Sequence, residues 1–170
     1  MQARELIAEE WLGRMWRAYP GQAAAFLARE PDPFRNPVGA TFRQALAILL
    51  EELFLGMDRG RVAAALDSIV QIRAVEDSPP GRALEFLFQL KPILERFEVG
   101  PGLDLLYSRI DEMALLAFDL YMKHREKTFE ARTNEARRRV FVLERRFGAG
   151  AERRFGARED AAAWREPSAT

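Results

Sequence analysis

The sequence predicts an all-α fold, a single-domain helical bundle of five to six helices that includes a long protruding C-terminal helix. Apolar residues recur three and four positions apart along most of the chain, prolines and glycines separate these runs, and no segment alternates apolar and polar residues as a strand would. A chain of 170 residues, 48% of them hydrophobic, is long enough to bury one core.

The first two helices are expected over about residues 2–19 and 22–29. Pro20 and Gly21 separate them, because this pair interrupts a helical run. A loop over residues 30–39 follows, in which three prolines remove backbone donors and disfavour helix at the residues before them.

The middle of the chain predicts two antiparallel helices over residues 38–55 and 59–77, because the turn between them is short. The next helix should begin at a cap by Ser78 and extend to about residue 98. Pro92 lies inside this segment and has no amide hydrogen, so we expect a kink near Phe88.

The last helix is predicted over residues 103–146, because glycine and proline are absent from that stretch. Its first part is apolar enough to suggest burial on two sides. Its polar last third should leave the bundle and pair with a second copy, because a projecting polar helix is marginal alone. We therefore expect a helical sensor-like domain over residues 1–146 and a flexible basic tail over residues 147–170.

The charge distribution argues against nucleic-acid and membrane partners. Residues 1–122 carry 13 Lys and Arg against 18 Asp and Glu, whereas residues 123–170 carry 13 against 8. The basic end is interspersed with Glu, which is typical of a solvated helix face. Glutamates occupy the N-terminus where a signal peptide needs apolar residues, and no segment approaches 18 uncharged apolar residues. We expect a cytoplasmic protein that neither binds nucleic acid nor inserts into a membrane.

The residues that catalysis would require are scarce. The absence of cysteine excludes disulfides, thiolate nucleophiles and cysteine-based metal sites. His124 is the only histidine, lies among cations and is expected to face solvent, and one histidine cannot build a di-iron bundle. The phosphate-binding, dinucleotide-binding and nucleophile-elbow motifs are absent. We predict no enzyme activity, no metal and no cofactor.

Two groups of residues are candidates for a site. Arg73 and Asp119 lie in apolar stretches, and because an unpaired buried charge is costly they are predicted to pair with each other; the alternative is that both face water at the bundle edge. Several aromatic residues are candidates to line an apolar pocket, although aromatic residues at helical spacing more often form a core. The candidate pocket residues are Trp16, Phe42, Phe88, Phe118 and Tyr121.

Three stretches of the chain together resemble the RsbRD N-terminal domain family. They are residues 32–39 (DPFRNPVG), residues 69–77 (IVQIRAVED), and residues 117–122 (AFDLYM) with 125–127 (REK) and 134–135 (NE). The resemblance spans about residues 4–140. It implies the sensor domain of an RsbT co-antagonist, helical and related in role to the non-haem globin-like sensors of stressosome proteins, which dimerise and pass a signal through a projecting helix.

The hypothesis that follows is a non-catalytic signalling or regulatory module that senses a ligand or partner and relays it through a dimeric C-terminal helix. In full-length members of the resembled family this helix leads into a STAS domain, and the expectation here is a stand-alone form that lacks the STAS domain and acts on a protein partner. Two alternatives stay open: an accessory or assembly subunit that docks on a respiratory or redox complex, and a globin-like sensor that binds haem or another small molecule.

Overall fold

The structure, a computed structural model, describes residues 2–76, 78–97 and 102–162, and these residues form seven α-helices and no strand. The all-α prediction is confirmed. The helices are α1 (Gln2–Arg17), α2 (Gly21–Arg29), α3 (Pro37–Leu55), α4 (Arg59–Val75), α5 (Pro80–Phe88), α6 (Leu90–Arg96) and α7 (Leu103–Ala162). None of them, within the described ranges, combines the length and hydrophobicity that crossing a bilayer requires.

The chain divides into two compact units, Met1–Thr128 and Phe129–Thr170. The first unit contains α1 to α6 and the beginning of α7, and it holds the hydrophobic core. The predicted sensor-like domain over residues 1–146 and the predicted flexible tail over residues 147–170 stay predictions, and residues 163–170 lie outside the described ranges.

The core of the first unit is built on α3, which packs against α1, α2 and α4. The periodicity of three and four places one apolar face of each helix inward, so that large side chains from several helices meet without solvent between them. Core side chains that are almost fully buried include Ile7, Trp11 and Met15 of α1, Phe42, Leu49 and Leu53 of α3, Leu66 and Ile69 of α4, and Ile110 and Met113 of α7.

The proline-rich loop before α3 is held by the buried side chain of Asn36. Its Oδ1 accepts a hydrogen bond from the amide of Gly39 at 2.8 Å and so caps α3, while its Nδ2 donates to the carbonyls of Leu27 and Glu30 at 3.1 and 3.0 Å. Each polar atom of this buried amide thus has a partner. Pro37 takes the first helical position, where its missing amide hydrogen is no loss.

The predicted kink in the fifth helix is a complete break. α5 ends at Phe88 and α6 begins at Leu90, with Gln89 as the turn between them. Pro92 leaves the Phe88 carbonyl without a helical donor, which accounts for the position of the break. The predicted Ser78 cap is wrong, because the cap residue is Pro79 and no side chain caps α5.

The first part of α7 buries one side, and the predicted burial on two sides is wrong. The buried stripe consists of Leu106, Ile110, Met113, Ala117 and Tyr121. Leu105 and Leu115 are exposed, and Leu116 and Leu120 are only half-buried. The first unit therefore leaves an apolar face of α7 uncovered.

We predict that Asn36→Ala lowers the free energy of unfolding by about 2 kcal/mol, because it removes the α3 cap and one of the two donors, beside Arg43, to the carbonyls of Leu27 and Glu30. Urea unfolding followed by circular dichroism measures the change. Asn134→Ala, which alters the exposed asparagine on α7, is the control and should change stability little.

Gly39→Ala should destabilise the fold through Asn36 itself, because a Cβ at Gly39 would come within 2.3–2.7 Å of that side chain. The effects of the two substitutions should therefore not add: Gly39→Ala should cost much less in an Asn36→Ala background. Full additivity in a double-mutant cycle would show that Gly39 acts independently of the cap.

Candidate functional site

Arg73 is buried in a cluster of aromatic rings rather than paired with Asp119. Its guanidinium lies 4.6 Å from the ring centroid of Tyr19 and 5.7 Å from that of Phe42. Its ion pair is with Glu76, at 3.5 Å, one helical turn away. Asp119 is exposed on α7, so the predicted buried pair is corrected. The aromatic faces and Glu76 are what stabilise the charge of Arg73.

The same cluster contains Tyr19, whose side chain is partly buried. Tyr19 donates to the carboxylate of Glu76 at 3.0 Å, and burial raises the pKa of Tyr19. Trp16 stacks on Phe42, with ring centroids 5.8 Å apart. The 69–77 segment therefore supplies both polar partners of this cluster, Arg73 and Glu76.

The five predicted pocket residues do not share one cavity. Trp16, Phe42 and Tyr121 are buried in the core. Phe88 and Phe118 are 48% and 44% exposed and line a separate open groove of about 490 Å³ between α5 and α7. Other apolar side chains that line the groove are Leu84, Ala114 and Leu115. Sequence periodicity alone could not distinguish the two locations, because both sets recur at helical spacing.

Among the polar contacts between the first part of α7 and the rest of the first unit, two involve Tyr121 and His124. The hydroxyl of Tyr121 donates to the backbone carbonyl of Ser78, just before α5. Nε2 of His124 lies 2.7 Å from Oδ1 of Asp67 on α4. The His124 side chain is largely buried, so the expectation that it faces solvent is wrong.

Beyond these contacts, α7 exposes apolar side chains at a regular interval. In the second unit, Phe129, Ala136 and Leu143 are seven residues apart, and all three are exposed. Leu115 and Met122, exposed in the first unit, stand in the same seven-residue register of the sequence. A period of seven is the signature of helices that pair with other helices. Sequence reasoning missed this series because it followed only the buried stripe.

A model of the family described as RsbT co-antagonist protein rsbRD N-terminal domain matches residues 5–136. The chain belongs to this family. The match confirms the resemblance carried by residues 32–39, 69–77 and 117–122 and, at the level of the family, the signalling role that the resemblance implies. Neither a curated protein nor a solved structure matches the chain significantly, so the globin-like arrangement stays a prediction.

In this RsbRD N-terminal domain, Tyr121→Phe should lower the free energy of unfolding by about 1 kcal/mol, because the buried hydroxyl loses its bond to the Ser78 carbonyl and leaves that acceptor unpaired. Thermal and urea unfolding measure the change. Tyr107→Phe is the matched control, because the Tyr107 hydroxyl bonds to Glu95 at the surface. Equal losses in the two variants would contradict an anchoring role for Tyr121.

Proposed function

We propose that this chain is a non-catalytic signalling input module that pairs with a second copy of itself through α7 and passes its signal to a protein partner in the cytoplasm. The observation that carries the proposal is the exposed series at seven-residue spacing, Leu115, Met122, Phe129, Ala136 and Leu143. Membership of the family supports the signalling role. In this proposal, the exposed residues of the series form the surface through which two copies of α7 pair and relay the signal.

The composition of the series supports a second copy as the occupant. In a parallel pair of helices each seam residue meets its own equivalent, so one chain that repeats an apolar residue every seven positions is complementary to itself. Burying Phe129 and Leu143 removes apolar surface from water, at about 25 cal/mol per Å². Within the first unit, Leu115 of the series also lines the groove formed with Phe88 and Phe118, which is apolar enough to receive another helix.

The pairing should be weak enough to respond to a signal. Three residues after Met122, Phe129 and Ala136, the sequence has arginine instead of the apolar residue that a complete seam needs. Charged seam positions lower the stability of a coiled coil, so we expect a micromolar rather than a nanomolar dimer. A dimer with this affinity changes its population when a ligand or partner favours one arrangement by only a few kcal/mol.

Phe129→Gln should weaken the dimer at least about tenfold, because it replaces the largest apolar residue of the series. Sedimentation equilibrium over a range of concentrations measures the dissociation constant. Phe141→Gln is the matched control: Phe141 is 63% exposed against 70% for Phe129, but it lies five residues after Ala136 and falls on the opposite face of the seam.

Either of two outcomes would contradict the pairing. One is a wild-type chain that stays monomeric at hundreds of micromolar. The other is an equal loss in Phe129→Gln and Phe141→Gln, since pairing without register would mean nonspecific contact between exposed apolar residues.

Cysteine cross-linking tests the parallel arrangement, and the chain offers a clean background because it contains no cysteine. Ala136→Cys should form a disulfide-linked dimer under mild oxidation, because equivalent seam residues of two parallel helices come within disulfide range. Ala131→Cys places the thiol on the opposite face of the same exposed stretch and should cross-link far more slowly. Similar rates, compared on nonreducing gels, would contradict a parallel seam.

A further inference from the structure

A polar cleft of about 750 Å³ opens on the first unit, away from the apolar groove of α5 and α7. Its walls come from α1, α4 and α5, with Gln89 at the break between α5 and α6. The volume lies within the range of sites that hold small organic molecules. Four of its lining residues are arginines: Arg14, Arg17, Arg73 and Arg82.

The charges that line the cleft are not balanced. Two glutamates, Glu10 and Glu85, face the four arginines, which leaves a surplus of two positive charges. Glu10 is engaged by Arg14 at 2.8 Å and by Arg96 at 3.0 Å, and the hydrogen bond from Arg14 holds the pKa of Glu10 below its usual value. Among the residues that the structure describes, neither Arg17 nor Arg82 has a carboxylate partner.

Two residues of this cleft have unsatisfied buried polar atoms. In the described part of the chain, Nε of Arg73 and Oε1 of Gln89 have no hydrogen-bond partner. Arg73 is only 6% exposed, and its single ion pair to Glu76 is long, at 3.5 Å. A buried guanidinium usually makes several hydrogen bonds, because each unmade bond costs the desolvation of that group. Arg73 therefore lacks a hydrogen-bond acceptor and the side-chain oxygen of Gln89 lacks a donor, and both residues line the same cleft.

We propose that this cleft binds a small soluble organic anion with two or more negative charges, such as a phosphate ester or polycarboxylate, that also carries a hydroxyl or amide donor. The arginine side chains of Arg14, Arg17 and Arg82 bind the anionic groups, since guanidinium matches the planar fork of carboxylate and phosphate oxygens. Arg73 supplies positive charge at the α4 wall. The hydroxyl or amide group of the ligand donates a hydrogen bond to Oε1 of Gln89.

This inference rests on the proposed function in one respect: binding of the anion acts as a signal only if the chain is a signalling module. Ser78 lines the cleft, and its carbonyl accepts the hydroxyl of Tyr121. A ligand that contacts the segment before α5 therefore acts on a residue bonded directly to α7. Binding itself does not require pairing, and the two are measured separately.

Isothermal titration calorimetry with sodium pyrophosphate and with sodium citrate, at constant ionic strength set with sodium chloride, tests the site. We expect saturable binding with one site per chain and a rise in melting temperature that grows with ligand concentration. Arg17→Gln combined with Arg82→Gln should weaken binding at least about tenfold, because two exposed partners of the anion are lost without disturbing the core. Arg73→Gln should weaken it further.

The control removes the same two charges elsewhere, through Arg29→Gln combined with Lys123→Gln, both exposed and outside the cleft. It should leave binding unchanged. The proposal is overturned if neither probe binds, or if the control pair weakens binding as much as the cleft pair, which would indicate a general charge effect. Binding to phosphatidylglycerol vesicles without binding to pyrophosphate would also overturn it, because the proposed ligand is soluble. Sedimentation of the cleft pair should still show the wild-type dimer, so that failure of the site and failure of the pairing remain distinguishable.

Discussion

The hydrogen bonds of one buried amide, Asn36, determine where the central helix of the bundle begins. The side chain caps α3 through Gly39 and holds the end of α2 through the carbonyls of Leu27 and Glu30. Because α3 packs against α1, α2 and α4, its starting residue sets which of its side chains enter the core. A shift of one residue would turn Phe42 by about 100° around the helix axis and remove it from the aromatic cluster.

The segments that relate this chain to its family share a physical role. Residues 32–39 hold the Asn36 cap, residues 69–77 supply Arg73 and Glu76 to the aromatic cluster, and residues 117–122 contain Tyr121, which bonds to Ser78. Each places a polar group in or beside the core with a specific partner. Apolar packing tolerates many residue combinations, whereas these hydrogen bonds require one geometry, and they therefore give the bundle a defined arrangement.

The arginine cleft and the apolar groove between α5 and α7 give the first unit two chemically distinct surfaces. The cleft is polar, concave and positively charged, which suits a small anionic molecule. The groove is lined mostly by apolar side chains, which suits another helix. Ser78 lines the cleft and its carbonyl accepts the hydroxyl of Tyr121, so the cleft and α7 are joined by a direct contact within the first unit. In the proposed function, this contact is the route by which a ligand in the cleft acts on the pairing of α7.

The sequence by itself determined the fold class, the main helical segments and an interruption near Phe88, because periodicity and the backbone chemistry of proline are local properties. That the interruption is a complete break between α5 and α6 was decided by the tertiary structure. The sequence also indicated that Arg73 needed a partner, since burial of a charge in an apolar stretch is visible from its neighbours. Only the tertiary structure decided that the partners are Glu76 and two aromatic rings, that Asp119 faces outward, and that Phe88 and Phe118 line a groove while Trp16, Phe42 and Tyr121 fill the core. The physical reason is that a helical period indicates which residues share a face of one helix. The contacts between faces of different helices depend on how helices distant in the sequence pack together.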